Sequence, residues 1–293
     1  MYAITGITGQ VGGAMARTLL ARGKNVRAVV RNATKGQPWA AKGCEIAVAD
    51  MEDAAALAAA FRGTDGVFIL PPSEFDPSPG FPEALQVIAA VKEAIENTRP
   101  KKAICLSTIG AQATQPNLLT QRTLLEQALS TLSIPVTFLR PAWFMENFAW
   151  DIPSARDAGV IASFLQPLDK PVPMTATRDI GRLAAQLIEE DWQGVRVVEL
   201  EAARGYTPTE VAATPARIVG RPVRAEAVPR ETWGSLFKSQ GMKDPIPRIQ
   251  MLDGFNEGWI EFEAGEAATV KGPTDLEAVL RGLIEAVPQL RSA

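Results

Sequence analysis

The first thirteen residues, Met1-Tyr-Ala-Ile-Thr-Gly-Ile-Thr-Gly-Gln-Val-Gly-Gly13, constrain the fold more than any other stretch of the chain. A short apolar strand enters three glycines spaced three apart, and an amphipathic segment leaves them. Each glycine answers a separate need of a turn that grips a diphosphate. Gly6 takes backbone angles that a side chain forbids, Gly9 lets the main chain approach the pyrophosphate, and Gly12 lets the next helix pack closely on the strand. A helix starting near Gln10 then aims unpaired N–H groups at the anion, so Thr8, Gln10 and Val11 join the three glycines as candidate contacts. Such a helix end stabilises negative charge by roughly 0.3–1 kcal/mol when exposed and up to about 2 kcal/mol when partly buried.

Downstream, strand and helix signals alternate as a parallel sheet with crossover helices requires. Strands are predicted at Ala3–Thr5, Val26–Arg31, Glu45–Ala49, Gly66–Leu70, Lys102–Ser107 and Pro135–Leu139. Helices are predicted at Val11–Arg22, Asp53–Arg62, Pro82–Asn97 and Leu119–Leu132, with a short one near Trp39. The pattern specifies an α/β fold, a doubly wound parallel sheet of Rossmann type with ligands at the carboxyl ends of its strands. Residues 1–150 read as the dinucleotide-binding domain and 151–293 mainly as a smaller C-terminal α+β substrate lobe, with about 176–201 returning to the sheet. Five prolines and a glycine in Pro71–Pro82 predict a loop over the ligand edge, which puts Leu70 and Pro71 beside the site. Later, Thr207-Pro-Thr-Glu210 and Thr274-Asp-Leu-Glu277 predict capping boxes, and Pro215 is expected to kink or end the first of those helices.

Composition removes several chemistries. The chain has no histidine, so no Ser-His-Asp triad, imidazole-held zinc or imidazole base can be built from it. Its two cysteines, Cys44 and Cys105, fall in strand-like runs and read as free core thiols of a reducing, cytoplasmic compartment. A net charge of −3, with Lys101-Lys102 as the only basic cluster, offers no footprint for direct nucleic-acid contact. No apolar run reaches membrane-spanning length, and a soluble, intracellular protein without a leader is expected. Neither a metal nor a flavin is expected.

The end of the second strand chooses between coenzymes, because an acid there binds the adenosine ribose and repels a 2′-phosphate. This chain carries Arg31-Asn32 instead, with Lys35 close by. A guanidinium grips phosphate through paired, charge-assisted bonds, so NADP(H) is favoured over NAD(H); the alternative is that Arg31 only ends a strand in solvent. Asp50-Met51, closing the third strand, either flanks the adenine or caps the next helix.

With the glycine turn, Arg31, Asp50, Ser107-Thr-Ile-Gly-Ala111 and Leu139-Arg-Pro-Ala-Trp-Phe-Met-Glu-Asn147 in order, the chain resembles the NmrA-like branch of atypical short-chain dehydrogenases. The likeness runs nearly end to end and includes Gly254-Phe-Asn-Glu-Gly-Trp-Ile-Glu-Phe-Glu263. It implies a Rossmann domain, a small substrate lobe and an NADP(H) site reaching Ser107, Thr108, Arg122 and Pro141. Members of the group include quinone reductases, azo-dye reductases and redox-sensing regulators that have lost catalysis. Short-chain dehydrogenases usually carry a tyrosine four residues before a lysine. Aligned on Glu126, those slots hold Leu118 and Arg122, so the proton donor is missing and no catalytic residue can be named. Arg122 either binds the nicotinamide ribose or pairs with Glu126 one helical turn on.

Two functions follow from that departure. One is NADPH-dependent hydride transfer to an electron-poor conjugated small molecule, a quinone or azo compound, between walls drawn from Trp143, Phe144, Asn147, Trp150 and Trp259. These aromatics could equally be core. The other is an NADP(H)-binding redox sensor acting through a regulatory protein partner. A homodimer is compatible with either.

Overall fold

The computed structural model describes residues 1–265 and 268–286. Strand and helix alternate from the first residues: β1 (Tyr2–Ile4), α1 (Gln10–Ala21), β2 (Val26–Val30), α2 (Ala33–Ala40), β3 (Glu45–Val48), α3 (Ala54–Phe61), β4 (Gly66–Ile69), α4 (Pro82–Thr98), β5 (Ala103–Leu106), α5 (Thr120–Leu129) and β6 (Val136–Pro141). Shorter pieces follow as β7 (Trp143–Phe144), α6 (Ile152–Asp157), β8 (Val160–Ser163), β9 (Met174–Thr175), α7 (Thr177–Leu187) and β10 (Val195–Ala202). The chain then forms α8 (Pro208–Val219), β11 (Arg224–Ala227), α9 (Trp233–Ser239), α10 (Ile246–Glu257), β12 (Val270–Gly272) and α11 (Leu276–Ala286).

Eight strands make one parallel sheet in the order β12-β10-β6-β5-β4-β1-β2-β3. Its strands bury alternate residues on opposite faces, as the twofold period of a strand demands. Val67, Ile69, Ala103, Cys105, Val136 and Phe138 pack under α3, α4 and α5. Phe68, Ile104, Leu106 and Leu139 pack on the other face, with Met15 and Leu19 of α1 and Ile180 and Ala184 of α7. α7 packs against α1, and β10 lies in the sheet between β12 and β6. The addition of β12 at the sheet's edge has no forecast in the sequence pattern. Cys44 and Cys105 are both buried and free, although β3, which follows Cys44, is a half-exposed edge strand rather than a buried one.

One helix-end expectation changes and another narrows. Thr207 and Glu210 form the predicted capping box. Thr274 does not, because its N–H and hydroxyl both donate to Asp179 at 2.9 Å, and Asp275 accepts from Ala278 N–H instead. Nor does Pro215 end α8, which continues to Val219. Two apolar clusters fill the C-terminal part. One holds Met145, Val172, Tyr206, Phe255, Ile260 and Leu280; the other is built on Trp233, Phe237, Ile249 and Leu252.

Candidate functional site

The strand order reverses at β1, which pairs with β2 on one side and β4 on the other. A doubly wound sheet opens its ligand crevice at that point, outside the strands' carboxyl ends. Here the crevice floor is Thr5, whose hydroxyl donates to Phe68 O at 3.1 Å and accepts from Leu70 N–H at 2.8 Å. The glycine turn rises from it. Gly6 sits at φ +63°, the left-handed region, and a Cβ on Gly12 would stand 2.5 Å from Gly6 O. Gly9 is the residue before α1, with no side chain capping the helix and no acid in its first turn. Thr8, Gly9 and Gln10 are exposed, Gly6 is half-buried and Val11 is buried. An anion can therefore reach the start of α1 without displacing a side chain of the helix itself.

Beyond β2, Arg31 and Lys35 are exposed, and neither takes part in an ion pair among the described residues. Asn32 separates them by capping α2, accepting from Thr34 N–H at 2.8 Å. Asp50 is exposed and forms a local turn, accepting from Glu52 N–H at 3.2 Å. It does not cap α3, since Asp53 does so by accepting from Ala56 N–H at 2.9 Å. Met51 is buried against the apolar layer under α3 and α4.

On the far side of the crevice the proline-rich loop is tied down from α5. Arg122 donates to Pro71 O at 3.1 Å and to the Ser73 hydroxyl at 2.7 Å. Gln121 accepts from Glu74 N–H at 3.1 Å and donates back to Glu74 O at 2.8 Å. The Arg122–Glu126 pair allowed by helical spacing does not form. Glu126 is taken by Arg140, at 2.6 and 2.8 Å, and by the Ser107 hydroxyl. Among the described residues Arg122 thus meets carbonyl and hydroxyl oxygens but no carboxylate, and burial lowers its pKa to about 10.

Arg140, in β6, is the centre of the motif Leu139–Asn147. Its side chain, 5% exposed, meets Glu126 at 2.6 Å, Glu263 at 2.7 Å and Glu199 at 3.7 Å. Glu199 in turn accepts the N–H groups of Glu263 and Ala264, so one cation joins β6, β10, α5 and the segment after α10. Burial opposes the Arg140 charge, but the carboxylates of Glu126 and Glu263 outweigh it and hold the guanidinium protonated more firmly than usual. Ser107 is buried with its hydroxyl committed to this network, while Thr108 is half-buried and Pro141 buried beside it.

Glu146 and Thr177 join the predicted set. Both Glu146 carboxylate oxygens accept from Thr177 N–H at 3.0 Å, and the Thr177 hydroxyl lies 2.8 Å from Gln10 Oε1. The acid thereby caps α7 and links the segment after β6 to the glycine turn. The aromatic candidates divide. Trp143 stands edge to face with Phe255 at 5.2 Å, with its indole N–H buried and unpartnered. Trp259 packs in the same cluster as Phe255, and its N–H donates to Glu257 at 2.9 Å. Phe144 packs instead on the sheet side. Asn147 is exposed. Trp150 is 89% exposed and belongs to none of the apolar clusters, so its indole walls no pocket in this conformation.

Next to Trp150, burial raises the Asp151 carboxyl to about 6. A carboxyl whose folded pKa lies above its unfolded value loses stability as pH rises through the interval between the two. Asp151→Asn is therefore expected to melt above the parent protein at pH 8, with the gap closing by pH 4. An equal gap at both pH values in thermal melts would contradict the assignment.

Among the described residues, no group of three Cys, Asp or Glu side chains is placed to hold a metal ion, and no helix is long and apolar enough to cross a membrane.

A family model for the NmrA-like family matches residues 2–278. The chain is 30% identical over 249 residues to quinone oxidoreductase 2 of Escherichia coli (strain K12), covering 84% of each chain. It is 27% identical over 260 residues to an NAD(P)H azoreductase of Xenophilus azovorans, covering 88% of this chain and 85% of the relative. The crystal structure of an NADPH-dependent quinone oxidoreductase from Escherichia coli in complex with NADPH matches with a TM-score of 0.80 at 25% identity, over 97% of this chain and 99% of the other.

Proposed function

This chain belongs to the NmrA-like family, and on that premise we propose that it is an NADPH-dependent reductase of electron-poor conjugated acceptors, quinones or azo compounds. The observation that carries the reading is the pairing of an uncapped, acid-free start of α1 with two cations outside any described ion pair, Arg31 just past the neighbouring strand β2 and Lys35 in the first turn of α2. The first suits a diphosphate and the second a phosphate on the adenosine ribose. Gly6, Thr8, Gly9, Gln10, Val11 and Gly12 would hold the diphosphate. Asp50 and Met51 would border the adenine, while Leu70, Pro71, Thr108, Arg122 and Pro141 would border the nicotinamide half, with Ser107 contributing through its backbone.

NADPH, when bound, supplies the hydride. The protein's share is to orient the acceptor and keep water out. Leu118 is apolar and buried, so it offers no proton where related dehydrogenases place a phenol. A carbonyl of an ordinary ketone needs such a donor, whereas a quinone or azo group is electron-poor enough to take its proton from water. Both named relatives, the quinone oxidoreductase and the azoreductase, carry activities of this kind. Trp143 and Trp259, gathered around Phe255, form the apolar wall. The same absence of an acid favours a second reading, an NADP(H) sensor without turnover.

One set of measurements separates these readings. NADPH should bind more tightly than NADH, and Arg31→Ala should weaken NADPH by about 10- to 150-fold, the equivalent of about 1.5–3 kcal/mol for bonds to a charged group, with little change for NADH. Equal affinity of the parent protein for the two coenzymes would contradict the phosphate role. NADPH oxidation should accelerate with 1,4-naphthoquinone or an azo dye. Tight binding with no acceptor turned over would leave the sensor reading.

A further inference from the structure

Arg248 lies in the first turn of α10, half-buried, with donors that meet no oxygen among the described residues. Its guanidinium carbon is 4.4 Å from the centroid of the Phe237 ring, and Nη1 is 3.9 Å from Met242 Sδ. A guanidinium carries five N–H donors and no acceptor, so a thioether and a ring face leave most of them open. The acids nearby are engaged elsewhere. Asp253 pairs with Arg230 at 2.6 Å, Asp244 accepts from Ile246 N–H at 3.0 Å, and Asp76 accepts the N–H groups of Lys243 and Asp244 at 2.8 and 3.0 Å. Burial lowers the Arg248 pKa, the direction for a cation that water solvates incompletely.

The surroundings place this cation at the rim of the crevice. Pro247 O, one residue before Arg248, accepts the N–H of Leu118 at 2.9 Å, so α10 is fastened to the segment leaving the carboxyl end of β5. Asp76 fastens the loop after β4 to the linker before α10. Along α10, Met251 and Phe255 follow Arg248 at spacings of three and seven, which share a helix face. Phe255 reaches Trp143, the second residue after β6, edge to face at 5.2 Å. The result is a strip with a cation at one end, a thioether along it and an aromatic pair about 10 Å of helix rise away.

We infer that Arg248 is a specificity residue that binds the acidic substituent, a sulfonate or carboxylate, of an aromatic acceptor whose rings lie along the partly exposed Met251 and Trp143, backed by the buried Phe255. The inference rests on the reductase reading for the acceptor's chemical class. Its test uses 1,4-naphthoquinone and 1,4-naphthoquinone-2-sulfonate with the full chain, Arg248→Gln and Arg248→Lys.

Equilibrium dialysis of each quinone against the NADP⁺-saturated protein requires no turnover. Arg248→Gln should weaken the sulfonate by about tenfold or more, as loss of a charge-assisted bond implies, and change the neutral quinone by less than about twofold. Arg248→Lys should keep part of the sulfonate affinity, because it restores the charge without the fork. In steady-state assays the same pattern should fall on KM, with kcat little altered. Parallel losses for both quinones in Arg248→Gln and Arg248→Lys would overturn the inference. If the parent protein turns over neither quinone yet dialysis shows selective loss of the sulfonate, the reductase reading fails while the anion site stands.

Discussion

Gly12→Ala should cost the protein its coenzyme affinity. The added Cβ would stand 2.5 Å from Gly6 O, 2.7 Å from Gly6 C and 3.0 Å from Ile7 Cα. These are backbone atoms of the turn itself, so no side chain can swing aside to relieve the contact. Relief requires the start of α1 to lift from β1, and that movement takes the free N–H groups of Gln10 and Val11 away from the diphosphate. Overpacking of this kind costs about 1–3 kcal/mol, and the displaced donors should weaken NADPH by at least about tenfold beyond that. Gly282→Ala in α11 is the matched control, since its Cβ would meet nothing within 4 Å, and in a helix interior it should raise stability by up to about 1 kcal/mol. Isothermal titration with NADPH and thermal melts of both variants check the pair. NADPH affinity of Gly12→Ala within about twofold of the parent protein would remove the close-packing role given to this glycine.

That role is legible in the sequence because it is local. Gly6, Gly9 and Gly12 act within one turn, and the alternation of strand and helix along the chain follows from hydrophobic runs that each element carries in its own sequence. The features that are not legible depend on partners far along the chain. Helical spacing offers Glu126 to Arg122, but Glu126 goes to Arg140, which lies on β6 and is buried with it, while Arg122 turns to the oxygens of the proline-rich loop. Thr274 has the sequence of a cap, yet Asp179, 95 residues earlier, claims both its donors. Glu146 reads as one polar residue in an aromatic run, and only the fold shows that it caps α7 from 31 residues away. The same limit applies to Arg248, whose isolation from carboxylates is a property of where Asp244, Asp253 and Asp76 find their own partners.

Arg140→Met should destabilise the protein far more than the loss of any exposed ion pair, such as Arg224 with Glu226. Arg140 and Glu199 expose 5% and 2% of their side chains, and Glu126 exposes 11%. Removing the cation leaves two buried carboxylates facing a cavity that water cannot fully solvate. Glu199 keeps the N–H groups of Glu263 and Ala264 at 2.9 and 3.0 Å, but among the described residues Glu126 retains only the Ser107 hydroxyl. Breaking a buried pair from one side costs about 3–5 kcal/mol, which for a chain of this size lowers Tm by roughly 5–8 °C. The pH dependence identifies the cause. A buried carboxylate left without its cation is relieved when it is neutralised, so the loss should shrink in acid, whereas a simple packing defect would persist. Arg140→Met combined with Glu126→Gln should recover part of the loss at pH 7.5, because it removes one stranded charge. Melts of the single and double variants at pH 4.5 and 7.5 decide this: a loss independent of pH and unchanged by Glu126→Gln would show that Arg140 serves by volume alone. Since the same cation ties the segment at Glu263 to β6, a charge origin would also mean that the crevice rim and the sheet are joined electrostatically, and coenzyme affinity should fall with stability in the single variant and return with it in the double.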